Sequence, residues 1–216
     1  MATTSSPPWS NRFQLCLKSD VVASKPLLRG ECRFHTPPRA ANQSSAILPR
    51  LGPVMRQLIL LRHAKAVPTG DETDDFTRAL AAAGRNDAPL AGRALAEAGG
   101  TPKIVLVSDA RRTRETWDLV QPYFPKVEVR FLRSLYLCAA ETLLAEAEQT
   151  SATNVMLVAH NPGLHELASR LAQRASELDL KVRAKFPTAA GAIFTRKSDD
   201  AAWKLAAYVT PKDLRV

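Results

Sequence analysis

Between residues 56 and 175, four short apolar runs alternate with longer segments in which alanine, leucine and glutamate recur at helical spacing. The runs are 58–61 (LILL), 104–107 (IVLV), 127–131 (VEVRF) and 155–159 (VMLVA). A run that is apolar at successive positions reads as a strand covered on both faces, and covering both faces takes helices on each side of a sheet. The intervening segments 84–98, 111–120 and 141–147, with 164–175 after the last strand, are the predicted helices. This order predicts an α/β domain whose sheet is mostly parallel, with helices on both faces. Two later segments, 192–196 and 203–209, flank a polar turn at 198–200 and are expected to add an antiparallel hairpin at the sheet edge.

The unusual polar residues fall directly behind these strands. Arg62 and His63 follow the first, Ser108 to Arg112 the second, and His160 with Asn161 the fourth. The carboxyl ends of parallel strands line one crevice, so three separate segments would deliver two histidines and several arginines to one place. Phosphoryl transfer asks for a nucleophile, donors around the equatorial oxygens and a way to manage the leaving group's proton. A neutral imidazole is a competent nucleophile near neutral pH, which His63 can supply. Guanidinium groups give planar, bidentate donation to phosphate oxygens, which Arg62 and Arg112 can supply. In the stretch from Ala159 to Gly163, Asn161 reads as an N-cap and Pro162 as the first helical residue, so that a helix N-terminus would face the same anion.

Composition narrows the function classes. The chain has 216 residues, 45% hydrophobic content and a net charge of +9, enough for one catalytic domain. Residues 1–54 hold seven basic and two acidic residues, +5 of that +9, and leave +4 to the remainder. No basic stripe with interleaved aromatics appears, so the excess suits a phosphate-sized anion rather than nucleic acid. Residues 1–54 are rich in Ser, Thr, Pro and Arg, lack a sustained period, and are expected to be a disordered leader outside the fold, which would occupy 55–216. Two readings of it compete: an organellar transit segment, chloroplast or mitochondrial, or a mis-assigned start with Met55 as the true beginning, the latter preferred. Cys16, Cys32 and Cys138 form neither a disulfide framework nor a metal cluster, which fits a reducing, cytoplasmic setting. No run approaches the ~18 apolar residues of a membrane span.

These residues also carry a resemblance. Leu61-Arg62-His63-Ala64 resembles the Arg-His-Gly signature of the histidine phosphatases, in their SixA-like branch of protein phosphohistidine phosphatases. Ser108 to Thr116 is similar to the second motif, a Ser with Arg four positions on and Thr four further. Asp75-Phe-Thr-Arg78-Ala-Leu80 followed by Gly84-Arg85 resembles the branch's Asp-x-x-Arg-Pro-Leu segment, and His160-Asn-Pro-Gly163 its second-histidine motif. Phe186-Pro-Thr188 and 208–214 resemble closing segments of bacterial members. The likeness implies a phosphoglycerate mutase-like three-layer fold. It also implies a phosphate pocket of Arg62, His63, Arg112 and His160, with Arg78, Ser108 and Asn161 as further substrate-binding candidates, and no metal or cofactor. The implied substrate is a phosphorylated protein or a small phosphorylated molecule.

One departure bears on that substrate. Phosphoglycerate mutase-like relatives carry a Leu-x-Glu segment whose Glu protonates the leaving oxygen, but the corresponding stretch here, Ser134-Leu-Tyr136-Leu137, has no acid. An alkoxide needs a good general acid, whereas a protonated imidazole leaves without one, so a P–N bond is favoured, with Asp75 or Glu141 as substitute donors. The alternatives are a phosphomonoesterase or mutase of the same superfamily and a non-catalytic phosphate-binding module. Arg111 and Arg114 read as solvated helix residues, and Arg78 as a rim residue or a helix cap. Ser108 and Thr116 read as capping or packing residues or as phosphate contacts, His165 as a surface or packing residue, and Cys138 as an inert, partly buried thiol.

Overall fold

The computed structural model describes residues 54–68 and 74–214. The expected leader, residues 1–54, therefore lies outside the described residues but for Val54. The strands are β1 (Gln57–Arg62), β2 (Ile104–Ser108), β3 (Glu128–Leu132), β4 (Asn154–Ala159), β5 (Gly191–Thr195) and β6 (Lys204–Val209). They form one sheet in the order β3-β2-β4-β1-β5-β6, in which β1 to β4 are mutually parallel and β5 and β6 are antiparallel additions. The helices are α1 (Ala82–Glu97), α2 (Arg111–Val120), α3 (Ala140–Gln149), α4 (Gly163–Leu171), α5 (Glu177–Ala184) and the short α6 (Pro211–Leu214).

Alternate side chains of each central strand serve two separate cores. Leu58, Leu60, Leu106, Val155 and Leu157 pack on α3, α4 and α5 through Leu143, Leu167 and Val182. Ile59, Leu61, Val105, Val107, Met156 and Val158 pack on α1 and α2 through Ala91, Leu95, Trp117 and Val120. The result is the expected helix–sheet–helix sandwich. Each fully enclosed Leu or Ile contributes about 1.5–3 kcal/mol of burial.

The elements depart from the sequence reading in four places. Strand 127–131 is not covered on both faces; β3 is the edge strand, and its Phe131 is 39% exposed under the Arg114 guanidinium, whose carbon sits 4.0 Å from the ring centroid. The predicted helix 164–175 ends at Leu171 and is followed by α5, which opens on a reciprocal cap: Ser176 Oγ accepts from the Asp179 amide while the Asp179 carboxylate accepts from the Ser176 amide. Asn161 is not a side-chain cap, because Pro162 occupies that position and Asn161 turns its Nδ2 to the Phe186 carbonyl, 2.9 Å away. Finally, Arg62 is the last residue of β1 rather than the first beyond it.

Two glycines let backbones meet where the site is assembled. A Cβ on Gly84 would collide with the Lys65 backbone, and one on Gly163 with the Cys138 carbonyl oxygen. The chain leaving β1 is thus seated on the start of α1, and the start of α4 on the chain entering α3.

Candidate active site

The carboxyl ends of β1, β2 and β4 bring His63, Ser108 and His160 together, and all three are buried. The rings of His63 and His160 lie 5.1 Å apart between centroids at 51°. His63 Nδ1 stands 2.8 Å from the Ala64 carbonyl oxygen, which can only accept, so Nδ1 carries the proton. The lone pair is then on Nε2, which makes no hydrogen bond among the described residues. His160 is held the other way round: its Nε2 is 2.7 Å from Ser108 Oγ, and its Nδ1 is buried without a partner.

Around the histidines stand the arginines. Arg62 Nη1 donates to the Phe186 carbonyl at 2.9 Å, the same oxygen that Asn161 holds. Arg112 is 2% exposed; its Nη1 donates to the Asp75 carbonyl at 2.5 Å and its Nη2 to the Asp75 carboxylate at 2.9 Å. The three neighbouring arginines differ in their surroundings. Arg111 pairs outward with Glu115 at 2.7 Å and Arg114 with Asp109, whereas Arg112 alone is buried. Arg78 is not a cap of α1; its Nε lies 3.4 Å from Asp75 Oδ1. Thr116 is scaffold: its Oγ1 accepts from the Ala64 amide and donates to the Arg112 carbonyl. The seven residues singled out by sequence are therefore gathered at one sheet end. Glu141 is not, being on the surface with Arg170.

The sequence reading missed Tyr136 as a member of this group. Its hydroxyl donates to Asp75 Oδ2 at 2.6 Å, and its ring meets His160 edge-on at 5.4 Å and Phe76 at 4.9 Å. The Tyr136 hydroxyl and then Arg112 and Arg78 hold the Asp75 carboxyl below its usual range. Asp75 is thus an anion at neutral pH and a poor proton donor, as is Glu141, whose pKa Arg170 lowers. The other missed participant is the Phe186 main-chain carbonyl, for which side-chain patterns give no signal. Orphaned buried polar atoms remain at Arg62 Nε, Arg112 Nε, His160 Nδ1 and Asn161 Oδ1. Such groups are costly unless something pairs with them; a tetrahedral anion between the arginines would accept from Arg62 Nε and Arg112 Nε, whereas Asn161 Oδ1 is itself an acceptor. Of the first-turn amides of α4, that of Leu164 is already spent on the His160 carbonyl.

Burial, with Arg112, Arg62 and Arg78 adding to it, pushes His63 down to about 3 despite the Ala64 carbonyl, and burial with His63 and Arg112 beside it pushes His160 down to about 2. Both rings are neutral in the free protein at any physiological pH. Each unfolded imidazole would take a proton below about 6.5, whereas native His63 refuses it until about 3 and native His160 until about 2, so stability is lost as pH falls from 6.5, by up to ~1.4 kcal/mol per pH unit per ring. The expected results are that neither imidazole titrates by NMR between pH 8 and 5, and that the urea midpoint drops below pH 6.5. A titration of either ring with a midpoint near 6.5 would contradict this geometry.

Among the described residues, no helix is long and apolar enough to cross a membrane, and no group of three or more His, Cys, Asp or Glu side chains is arranged to hold a metal.

Comparisons with known proteins extend this description. No family model matches the chain. An uncharacterized chloroplastic protein of Arabidopsis thaliana is 32% identical over 130 residues, 55% of this chain and 60% of that protein, so the chain matches less than two thirds of that relative's length. A solved structure assigned as the phosphohistidine phosphatase SixA of Agrobacterium tumefaciens superposes with a TM-score of 0.65 at 29% identity, over 73% of this chain and 99% of that one. A second structure assigned as SixA, from Nakamurella multipartitia, gives 0.62 at 25% identity over 72% and 96%.

Proposed function

The chain belongs to the histidine phosphatase superfamily, and we propose that within it the protein is a metal-independent phosphohistidine phosphatase that works through a phosphorylated His63. The observation that carries this reading is the His63 ring itself: neutral, protonated at Nδ1 by its bond to the Ala64 carbonyl, and presenting a free Nε2 among cations.

In the first step Nε2 attacks phosphorus while the bond from phosphorus to the leaving group breaks. Arg62 and Arg112 neutralise the equatorial oxygens through the guanidinium edges that now lack partners. Charge arriving with the phosphoryl group favours protonation of His160, whose unpartnered Nδ1 can then donate to a phosphoryl oxygen. In the second step water attacks the phosphorus of phospho-His63, the P–N bond to Nε2 breaks, and inorganic phosphate leaves with the ring restored to its neutral form.

What supports this substrate is that, among the described residues, the two acids considered as substitute donors are unsuited to the task. Asp75 is an anion locked to Arg112 and Tyr136, and Glu141 is turned away, so neither serves as the strong acid an alkoxide would need. A phosphohistidine whose second ring nitrogen has taken up a proton from solvent near neutral pH leaves as neutral imidazole without an enzyme acid. The solved relatives assigned as SixA carry the same substrate in their names. A substrate panel tests the reading: kcat/KM on phosphohistidine and phosphoramidate should exceed that on sugar and glycerate phosphates by about 10²-fold or more, the usual worth of a general acid. Equal or better turnover of phosphomonoesters would shift the assignment to a small-molecule phosphatase. The expected compartment is a reducing one, the cytoplasm, with the chloroplast as the alternative given the name of the Arabidopsis relative.

A further inference from the structure

One recess of the fold is lined by none of the candidate site's side chains. It is an open cleft of ≈ 350 Å³ lined by Lys65, Lys185, Lys212, Thr188, Thr210 and Asp87 among others. Its three lysines come from three separate segments: the chain leaving β1, the chain following α5, and α6 beyond β6. All three are exposed, and among the described residues none has an ion-pair partner, unlike Lys181, which is paired with Glu177 at 2.8 Å. The acids nearby are fewer: Asp87 is buried and has a partner of its own, and Asp213 is engaged with the Thr210 hydroxyl at 2.7 Å.

The topology puts this cleft on the catalytic rim. β5 is antiparallel to both β1 and β6, so β1 and β6 run the same way and their carboxyl ends share one edge of the sheet. Lys65 is two residues past His63, and the chain at 186–189 is stitched to it: the Ala189 amide donates to the His63 carbonyl at 3.1 Å, and the Phe186 carbonyl accepts from Arg62. Pro187 and Thr188, between those two contacts, face the cleft. The segment that lines the cleft at 187–188 is therefore hydrogen-bonded on either side to the strand end that carries the nucleophile.

We infer that this lysine cleft is a docking subsite for acidic side chains flanking the phosphorylated histidine of a protein substrate. The inference rests on the phosphohistidine reading above. On that reading the reacting phosphoryl group engages Arg62 and Arg112, so a second set of cations near it is suited to a second anion on the same substrate. Lysine stems suit it: they are long, flexible point charges that accept carboxylates in varied positions, where the fixed fork of arginine would demand one geometry.

The test uses the full chain and three probes: free phosphohistidine, a phosphohistidine peptide with aspartates at the four positions on either side, and the same peptide with serines there. An extended residue spans about 3.3–3.6 Å, so those flanks cover the neighbourhood of the pocket. Wild type should prefer the acidic peptide through KM, and added salt should erase the preference. The triple variant Lys65→Ser/Lys185→Ser/Lys212→Ser should raise KM for the acidic peptide roughly tenfold with kcat unchanged, and leave free phosphohistidine unaffected. Equal KM for the two peptides in wild type would overturn the inference while leaving the parent reading intact; no turnover of any phosphohistidine would remove both. Should the triple variant lose all three substrates alike, the reversal pair Lys185→Glu/Lys212→Glu decides: it should favour a lysine-flanked peptide, and failure to do so overturns the inference.

Discussion

His63→Ala is expected to lower kcat by at least ~10⁴-fold, the scale on which deleting a nucleophile acts, and to abolish the phosphoenzyme. Rapid quenching with labelled substrate should trap an acid-labile, alkali-stable phosphate on the wild-type chain and none on the variant. The result is more than a loss of function because a second imidazole stands 5.1 Å away. His63 offers Nε2, since its Nδ1 is committed to Ala64, whereas His160 offers Nδ1, since its Nε2 is committed to Ser108. Phosphorus NMR of the trapped species should therefore show the Nε2-phosphorylated isomer. A phosphoenzyme that survives His63→Ala, or one carrying phosphate on Nδ1, would transfer the nucleophilic role to His160. Circular dichroism should show the variant folded, because its neighbours Leu61 and Ala64 remain packed between β1 and α1.

The parts of this site that were legible in sequence are those set by strand ends. Runs such as 58–61 and 155–159 are apolar at every position because both faces are covered, so the polar residue that follows each is visibly out of place. What the sequence did not disclose depends on partners far along the chain. Tyr136 reaches Asp75 across 61 positions and Arg112 reaches it across 37, and no local pattern encodes either bond. The exposure of β3 likewise follows from its place at the sheet edge, a tertiary property. The break between α4 and α5 is a different case. Ser176 and Asp179 stand at capping-box spacing, so that boundary is encoded locally, although the helical period over 164–175 runs up to it without a break. Asn161 shows the converse error: a residue with the right chemistry for a cap is drawn off by the Phe186 carbonyl, which Arg62 also needs.

Arg112→Lys should cost about 10²–10³-fold in kcat/KM although it conserves charge, because the site uses the shape of the guanidinium. Two of its three nitrogens are already committed: Nη1 to the Asp75 carbonyl and Nη2 to the Asp75 carboxylate. Only a planar fork can hold that pair on one edge and still turn Nε toward a phosphoryl oxygen. A lysine has a single nitrogen and a shorter reach; wherever it binds, it abandons either Asp75 or the phosphate. If it abandons Asp75, the carboxylate keeps Tyr136 but loses its buried cation, and its pKa should rise toward the ordinary carboxylate range. That gives a readout separate from rate: the acid limb of kcat/KM should move to higher pH in the variant, and the replacement Asp75→Asn, which has no charge to titrate, should cancel the move. A lysine variant with wild-type kcat/KM would show that Arg112 acts only as a buried counter-ion for Asp75, and that Arg62 carries the phosphoryl group alone.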